Sequence, residues 1–76
     1  EYKAINVGML QALAERDNLT VIDREVLIQA GLMSKNDLLK VLGDGALTAK
    51  LEVKADAFSA KAVAAIEAVG GTVVKL

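Results

Sequence analysis

Three lysines stand where a phosphate could be met. Lys50 and Lys54 share one face of a segment that alternates apolar and polar residues, with Glu52 between them. Lys61 follows Ser59 and Ala60 at the opening of a helical pattern, where backbone N–H groups without partners favour an anion. An ammonium on a flexible stem suits a phosphate backbone and carries no base specificity. The same residues have a commoner role. Charges alternating in sign along a strand describe a solvated face, and a serine before a helix describes a cap. Charge pattern alone favours that commoner role.

The remaining polar residues offer little to catalysis. The chain has no His and no Cys. That removes the usual general base near neutral pH, the usual metal ligand, any thiolate and any disulfide. The carboxylates weighed as candidates are Asp17, Asp23, Glu25, Asp37, Asp44, Glu52, Asp56 and Glu67, and none falls at calcium-loop spacing. Carboxylates without His, in a domain too small for a deep cleft, make poor acid–base machinery. The expectation is a protein that is not an enzyme and needs no cofactor, no metal and no small-molecule substrate. Gly43-Asp44-Gly45 lacks the Gly-Lys-Ser/Thr of a phosphate loop and reads as a turn. Gly70-Gly71 reads as a helix stop.

Seventy-six residues allow one domain, residues 1–76, with one modest core. Over half of them are apolar, and aromatic side chains number two, Tyr2 and Phe58. The core must therefore be aliphatic. No apolar run approaches the roughly 20 residues a membrane helix needs. The chain opens on Glu1 and reads as a domain excised from something longer. Nine basic and ten acidic residues give a net charge of −1. Residues 1–38 hold four basic and six acidic groups, and residues 39–76 hold five and four. A nucleic-acid binder usually shows a pronounced basic patch, so the basic bias of the second half is slight.

The elements that must carry these residues announce themselves by a device that occurs three times. An apolar residue precedes a polar cap, and another apolar residue follows four positions after the cap: Ile5-Asn6 with Leu10, Ile22-Asp23 with Leu27, Phe58-Ser59 with Val63. The cap oxygen can accept from a free helix N–H, and the two apolar residues can staple the entry. Each copy follows a stretch with strand character, so the chain reads as strand, cap and helix repeated. Helices are expected over Val7–Ala14, after Asp23 as far as Gly31, and over Ala60–Val69. Arg16-Asp17-Asn18 reads as a polar break. Residues 72–76 form a closing strand. Residues 35–43 admit two readings, a two-turn helix capped by Asn36 or a strand over Leu38–Leu42. The next segment favours the strand. From Leu47 to Ala57 the odd positions are apolar, and the even positions from Thr48 to Asp56 are polar. A long strand after Gly43-Asp44-Gly45 predicts an antiparallel hairpin across residues 38–57. Phe58 breaks the alternation. The fold class is α/β: irregular β-β-α layers with three short helices on a small mixed sheet. Met9 and Met33 are expected to fill the core.

The order of these motifs resembles a known family. The residues that carry the resemblance are Ala4-Ile5-Asn6-Val7-Gly8 with Leu10 and Leu13, then Val21 through Leu32, Lys40-Val41-Leu42-Gly43-Asp44-Gly45, Leu47-Thr48 and Leu51-Glu52-Val53-Lys54-Ala55. Phe58-Ser59, Ala65-Ile66-Glu67-Ala68 and Gly70-Gly71-Thr72-Val73 complete it. Together they resemble the C-terminal domain of the L-fifteen / L-eighteen-e superfamily of large-subunit ribosomal proteins. The resemblance implies an irregular α/β fold and a structural constituent of the large subunit. It implies ribosomal RNA and neighbouring ribosomal proteins as partners, a cytoplasmic place on the ribosome and no membrane. It further implies phosphate contact for Lys40, Lys50, Lys54 and Lys61. The family's basic Gly/Arg/Lys-rich N-terminal arm does not occur in these residues. The family is usually basic around the segment matching Lys54 to Lys61, where Asp56 and Ala57 stand here. RNA binding by this domain alone should then be weak. Two other readings stay open. One is an engineered or reconstructed scaffold with this fold and no RNA function. The other is a protein-interaction module, which predicts a sizeable exposed apolar patch. Phe58, Leu32 and Met33 would be its members, though core burial is expected for all three.

Overall fold

The computed structural model describes residues 2–76. Six strands and three helices follow the order β1 (Tyr2–Asn6), α1 (Val7–Asp17), β2 (Val21–Ile22), α2 (Arg24–Gln29), β3 (Leu38–Leu42), β4 (Glu52–Ala55), β5 (Ala57–Phe58), α3 (Ala60–Ala68), β6 (Thr72–Lys75). They make two three-stranded sheets, one in the order β1-β3-β5 and one in the order β2-β4-β6. Odd strands build the first sheet and even strands the second, so the chain changes sheet at every strand. Every pairing is parallel. The inner faces supply Ile5, Leu39 and Val41 from the first sheet and Ile22, Val53 and Ala55 from the second. Val7, Leu10, Leu13 and Ala14 of α1, Leu27 of α2, and Ala62 and Ile66 of α3 join the same aliphatic cluster.

The three expected cap positions all open helices, but only two use the side chain. Asp23 Oδ1 accepts from Val26 N at 3.0 Å and Ser59 Oγ from Ala62 N at 3.1 Å. Asn6 occupies the cap of α1 and makes no side-chain bond there. The backbone carbonyl of Asp44 does that work instead, accepting from Gly8 N at 3.1 Å. Helix α1 runs on through the expected polar break. Arg16 and Asp17 are helical, and Asn18 ends the helix in the left-handed conformation (φ 57°).

The predicted hairpin is replaced by something different. Residues 38–42 do form a strand, which resolves the earlier ambiguity, but their neighbours are β1 and β5, both parallel. Gly43-Asp44-Gly45 does not return the chain on itself. It seats on the starts of α1 and α3. A Cβ on Gly45, whose φ is +93°, would sit 2.8 Å from Gly8 Cα, and one on Gly43 would sit 2.6–2.7 Å from Lys61 carbons. That close approach is what the two glycines permit.

The two-residue alternation reports burial correctly over a longer stretch than it reports hydrogen bonding. Leu47 and Ala49 are half-buried and Leu51, Val53 and Ala55 buried, while Thr48 and Lys50 are exposed. Ladder pairing begins only at Glu52. The break at Phe58 has a physical cause. The strand leaves the second sheet after Ala55, bends at Asp56 and joins the first sheet at Ala57. Phe58 pairs with the buried Val41 and packs on the core, so the inward parity shifts by one residue. Met33 is buried as expected, whereas Met9 is 41% exposed. Leu32 and Phe58 are half-buried against the core.

Candidate nucleic-acid interface

The four lysines do not form one patch. Lys50 and Lys54 belong to the second sheet. Lys50 is exposed just ahead of β4, with its stem beside Gly70. Lys54 lies within β4, in register with Val74. Four residues of extended chain separate them by about 13 Å. Lys61 stands at the start of α3, by the carboxyl edge of the first sheet. Lys40 is in the middle of β3, flanked in register by Ala4 and Ala57.

Two of these ammonium groups have carboxylate neighbours. Lys54 Nζ is 3.5 Å from Glu52 Oε2, and Lys61 Nζ is 3.6 Å from Asp44 Oδ1. The Lys61 and Asp44 side chains are 74% and 71% exposed. Pairs so open to water are worth little and yield readily to a phosphate. Lys40 and Lys50 make no ion pair among the described residues.

The starts of α1 and α3 meet around Gly43-Asp44-Gly45. Sequence reasoning weighed a phosphate at the α3 start against an ordinary cap and favoured the cap. The geometry adds Asp44 to that mouth, so an incoming phosphate must displace a carboxylate from Lys61. The N–H groups are also partly engaged, since Ser59 Oγ takes Ala62 N and the Asp44 carbonyl takes Gly8 N.

Sequence reasoning missed the best-connected ion pair. Arg24 Nη1 lies 3.2 Å from Asp56 Oδ2, with the two side chains only 25% and 21% exposed. The same guanidinium donates to the carbonyl of Asp37, and to that of Lys35 at 2.9 Å. Asp56 Oδ2 also accepts from Leu39 N at 2.7 Å, while Asp56 N donates to Leu39 O at 3.1 Å. Where the strand changes sheet, the Asp56 carboxylate serves Leu39 N. A signal existed in the sequence. Arg24 occupies the first position of a helix, where the dipole disfavours a cation, so it needed a partner of its own.

Two carboxyls are shifted downward. A backbone N–H from Ser34 holds Asp37 below the usual carboxylate range, helped by the Ser34 hydroxyl and the charge of Lys3 against some desolvation. Hydrogen bonding from Arg16 does the same for Asp17. Both are held by partners within three residues in the chain, Asp17 at the end of α1 and Asp37 in the turn ahead of β3. Among the described residues no group of three or more His, Cys, Asp or Glu could hold a metal ion. Likewise no described helix is long and apolar enough to cross a membrane.

This geometry defines a small α/β domain of three helices and two parallel three-stranded sheets among the described residues. Comparison with known proteins gives that class a family. The family described as ribosomal proteins 50S-L15, 50S-L18e and 60S-L27A matches residues 4–74. The chain is 62% identical over 76 residues to the large ribosomal subunit protein uL15 of Bacteroides thetaiotaomicron, all of this chain against 51% of that protein. It is 60% identical over 76 residues to that of Phocaeicola vulgatus, again covering 51% of the relative. Against that of Amoebophilus asiaticus it is 60% identical over 70 residues, 92% of this chain and 46% of the relative. The chain belongs to this family of ribosomal proteins. It spans about half the length of the curated relatives it matches, corresponding to their C-terminal half. These relatives lend no support to the engineered-scaffold reading.

Proposed function

We propose that the chain is a structural constituent of the large ribosomal subunit, in the cytoplasm, and that it meets ribosomal RNA by phosphate contact beside neighbouring ribosomal proteins. Family membership over residues 4–74 is the observation that carries this reading. Lys50, Lys54 and Lys61 are the phosphate contacts. All three lie on the surface or half-buried on an outer face, and the ion pairs held by Lys54 and Lys61 are exposed enough to exchange. The apolar surroundings of Lys40 set it apart, and it is assigned a different partner below.

The test is a titration of ribosomal RNA at two salt concentrations. Each neutralised phosphate contributes about 0.7–0.9 to the slope of log K against log salt. Three contacts predict about a 30-fold loss of affinity between 50 and 200 mM salt. Replacing all three lysines by Gln should flatten the dependence. Undetectable binding at low salt, or an unchanged slope in the triple variant, overturns the assignment.

A further inference from the structure

We propose that the outer face of the first sheet docks a neighbouring protein of the subunit through an apolar strip that carries one carboxylate. The inference rests on the reading of the chain as a subunit constituent. The face is set by register. Tyr2 stands beside Leu38, and Ala4, Lys40 and Ala57 form one row across all three strands. Leu42 completes the line on β3. Tyr2 is 54% and Leu38 41% exposed. Neither Leu42 nor Ala57 joins the core cluster or packs against it. Leu32, Met33 and Phe58, the members named for such a patch, turn inward as their expected core burial requires. The exposed patch is on the opposite side of the sheet.

The charge of this face selects the occupant. Lys40 is its one cation, and among the described residues of β1, β3 and β5 no carboxylate shares the face. Ala4 and Ala57 keep both flanks of the Lys40 stem low, so a partner can approach the ammonium closely. Tyr and aliphatic side chains around one charge suit a protein surface better than a phosphate backbone, which is met by cations and polar groups. RNA would call for several cations where this face offers one. A second copy fits poorly. A two-fold contact is self-complementary, and Lys40 in the central row would meet the Lys40 of its copy. What remains is a different protein whose apolar strip brings an Asp or Glu to Lys40.

Strands about 4.8 Å apart, five residues long in β1 and β3 and two residues long in β5, make a face within about 14 by 17 Å. That is far below the roughly 800 Å² per partner of an independent interface. The contact therefore belongs in the assembled subunit, and that is where it is tested. Full-length protein carrying a diazirine analogue of leucine at position 38 is assembled into large subunits and irradiated. A carbodiimide is applied in parallel to join the Lys40 amine to any carboxylate in contact, as an amide. The expected result is a Leu38 adduct on one ribosomal protein and a Lys40 amide to an acidic residue of that same protein. Lys40→Glu should lower the Leu38 adduct at least tenfold, and Lys50→Glu should leave it unchanged. A Leu38 label on RNA, on a second copy or on solvent alone overturns the docking surface while leaving the ribosomal reading intact. Failure of the protein to sediment with large subunits overturns the ribosomal reading and the docking surface with it.

Discussion

Removing the Asp56 carboxylate should be among the most damaging polar substitutions in this domain. In Asp56→Ala the Leu39 N–H loses its 2.7 Å acceptor at a residue with no exposed surface. An unpaired buried N–H costs about 1–3 kcal/mol. The Arg24 guanidinium loses its counter-charge but keeps two backbone carbonyls, which adds about 1 kcal/mol. The total is about 3 kcal/mol, a large share of the 5–15 kcal/mol that stabilises a typical domain. At about 4–8 °C per kcal/mol for a domain of this size, Tm should fall by about 12–24 °C. Asp56→Asn separates the two contributions. Its amide oxygen can still accept from Leu39 N while the charge is gone, so it should cost about 1 kcal/mol and about 4–8 °C. Urea denaturation and calorimetry on the two variants provide the measurement. A loss below 1 kcal/mol for Ala would refute the reasoning. Equal losses for Ala and Asn would show that charge, not the Leu39 bond, carries the effect.

Three further outcomes are expected. Ser59→Ala and Asp23→Ala should each cost about 1 kcal/mol in urea titrations. Asn6→Ala should be nearly neutral, because the Asp44 carbonyl already serves Gly8 N; a cost at Asn6 equal to the other two would contradict this. Gly45→Ala should cost about 2 kcal/mol or more, since Ala combines positive φ with a backbone clash 2.8 Å away. Stability equal to wild type would mean the loop is not seated on α1. The depressed Asp37 carboxyl should make stability depend on acid. Its contribution is complete above the unfolded value near 3.9 and disappears as pH falls through the lower folded value. The stability gap between wild type and Asp37→Asn should thus narrow as pH falls from the unfolded value through the lower folded one, and a gap that stays constant through that fall would disprove the linkage.

The sequence made much of this legible because local rules govern much of it. Asp23 and Ser59 cap as their types suggest, and the alternation from Leu47 to Ala55 names the buried face residue by residue. Pairing was not legible, because a period of two says which face is buried and nothing about which strand lies alongside. The turn-like Gly43-Asp44-Gly45 therefore pointed to a hairpin, while the decisive contact was with Gly8, far away in the chain. The same divide runs through the candidate site. Glu52 beside Lys54 can be read from spacing on a strand. The Lys61–Asp44 pair and the Arg24–Asp56 pair cannot, since both depend on which loop is seated where. The apolar outer face was missed for a related reason. Tyr2, Leu38 and Leu42 look like core residues until β1 and β3 are placed in register.

The odd–even division of strands bears on how this chain acquires its shape. No sheet contains two successive strands, so no contiguous stretch of a dozen residues can nucleate one. The first sheet needs Tyr2 to find Leu38, and the second needs Val21 to find Glu52 and Glu52 to find Thr72. Loops must close before any ladder bond rewards them, which slows folding relative to a hairpin-built domain of equal size. The two layers are also interlocked. Cutting the chain between β3 and β4 would divide both at once, leaving fragments 1–42 and 43–76 unable to fold alone but able to complement each other when mixed. On the elongating ribosome the first layer has all its strands once Phe58 is made, while the second waits for β6, whose pairing with β4 is the last to become available.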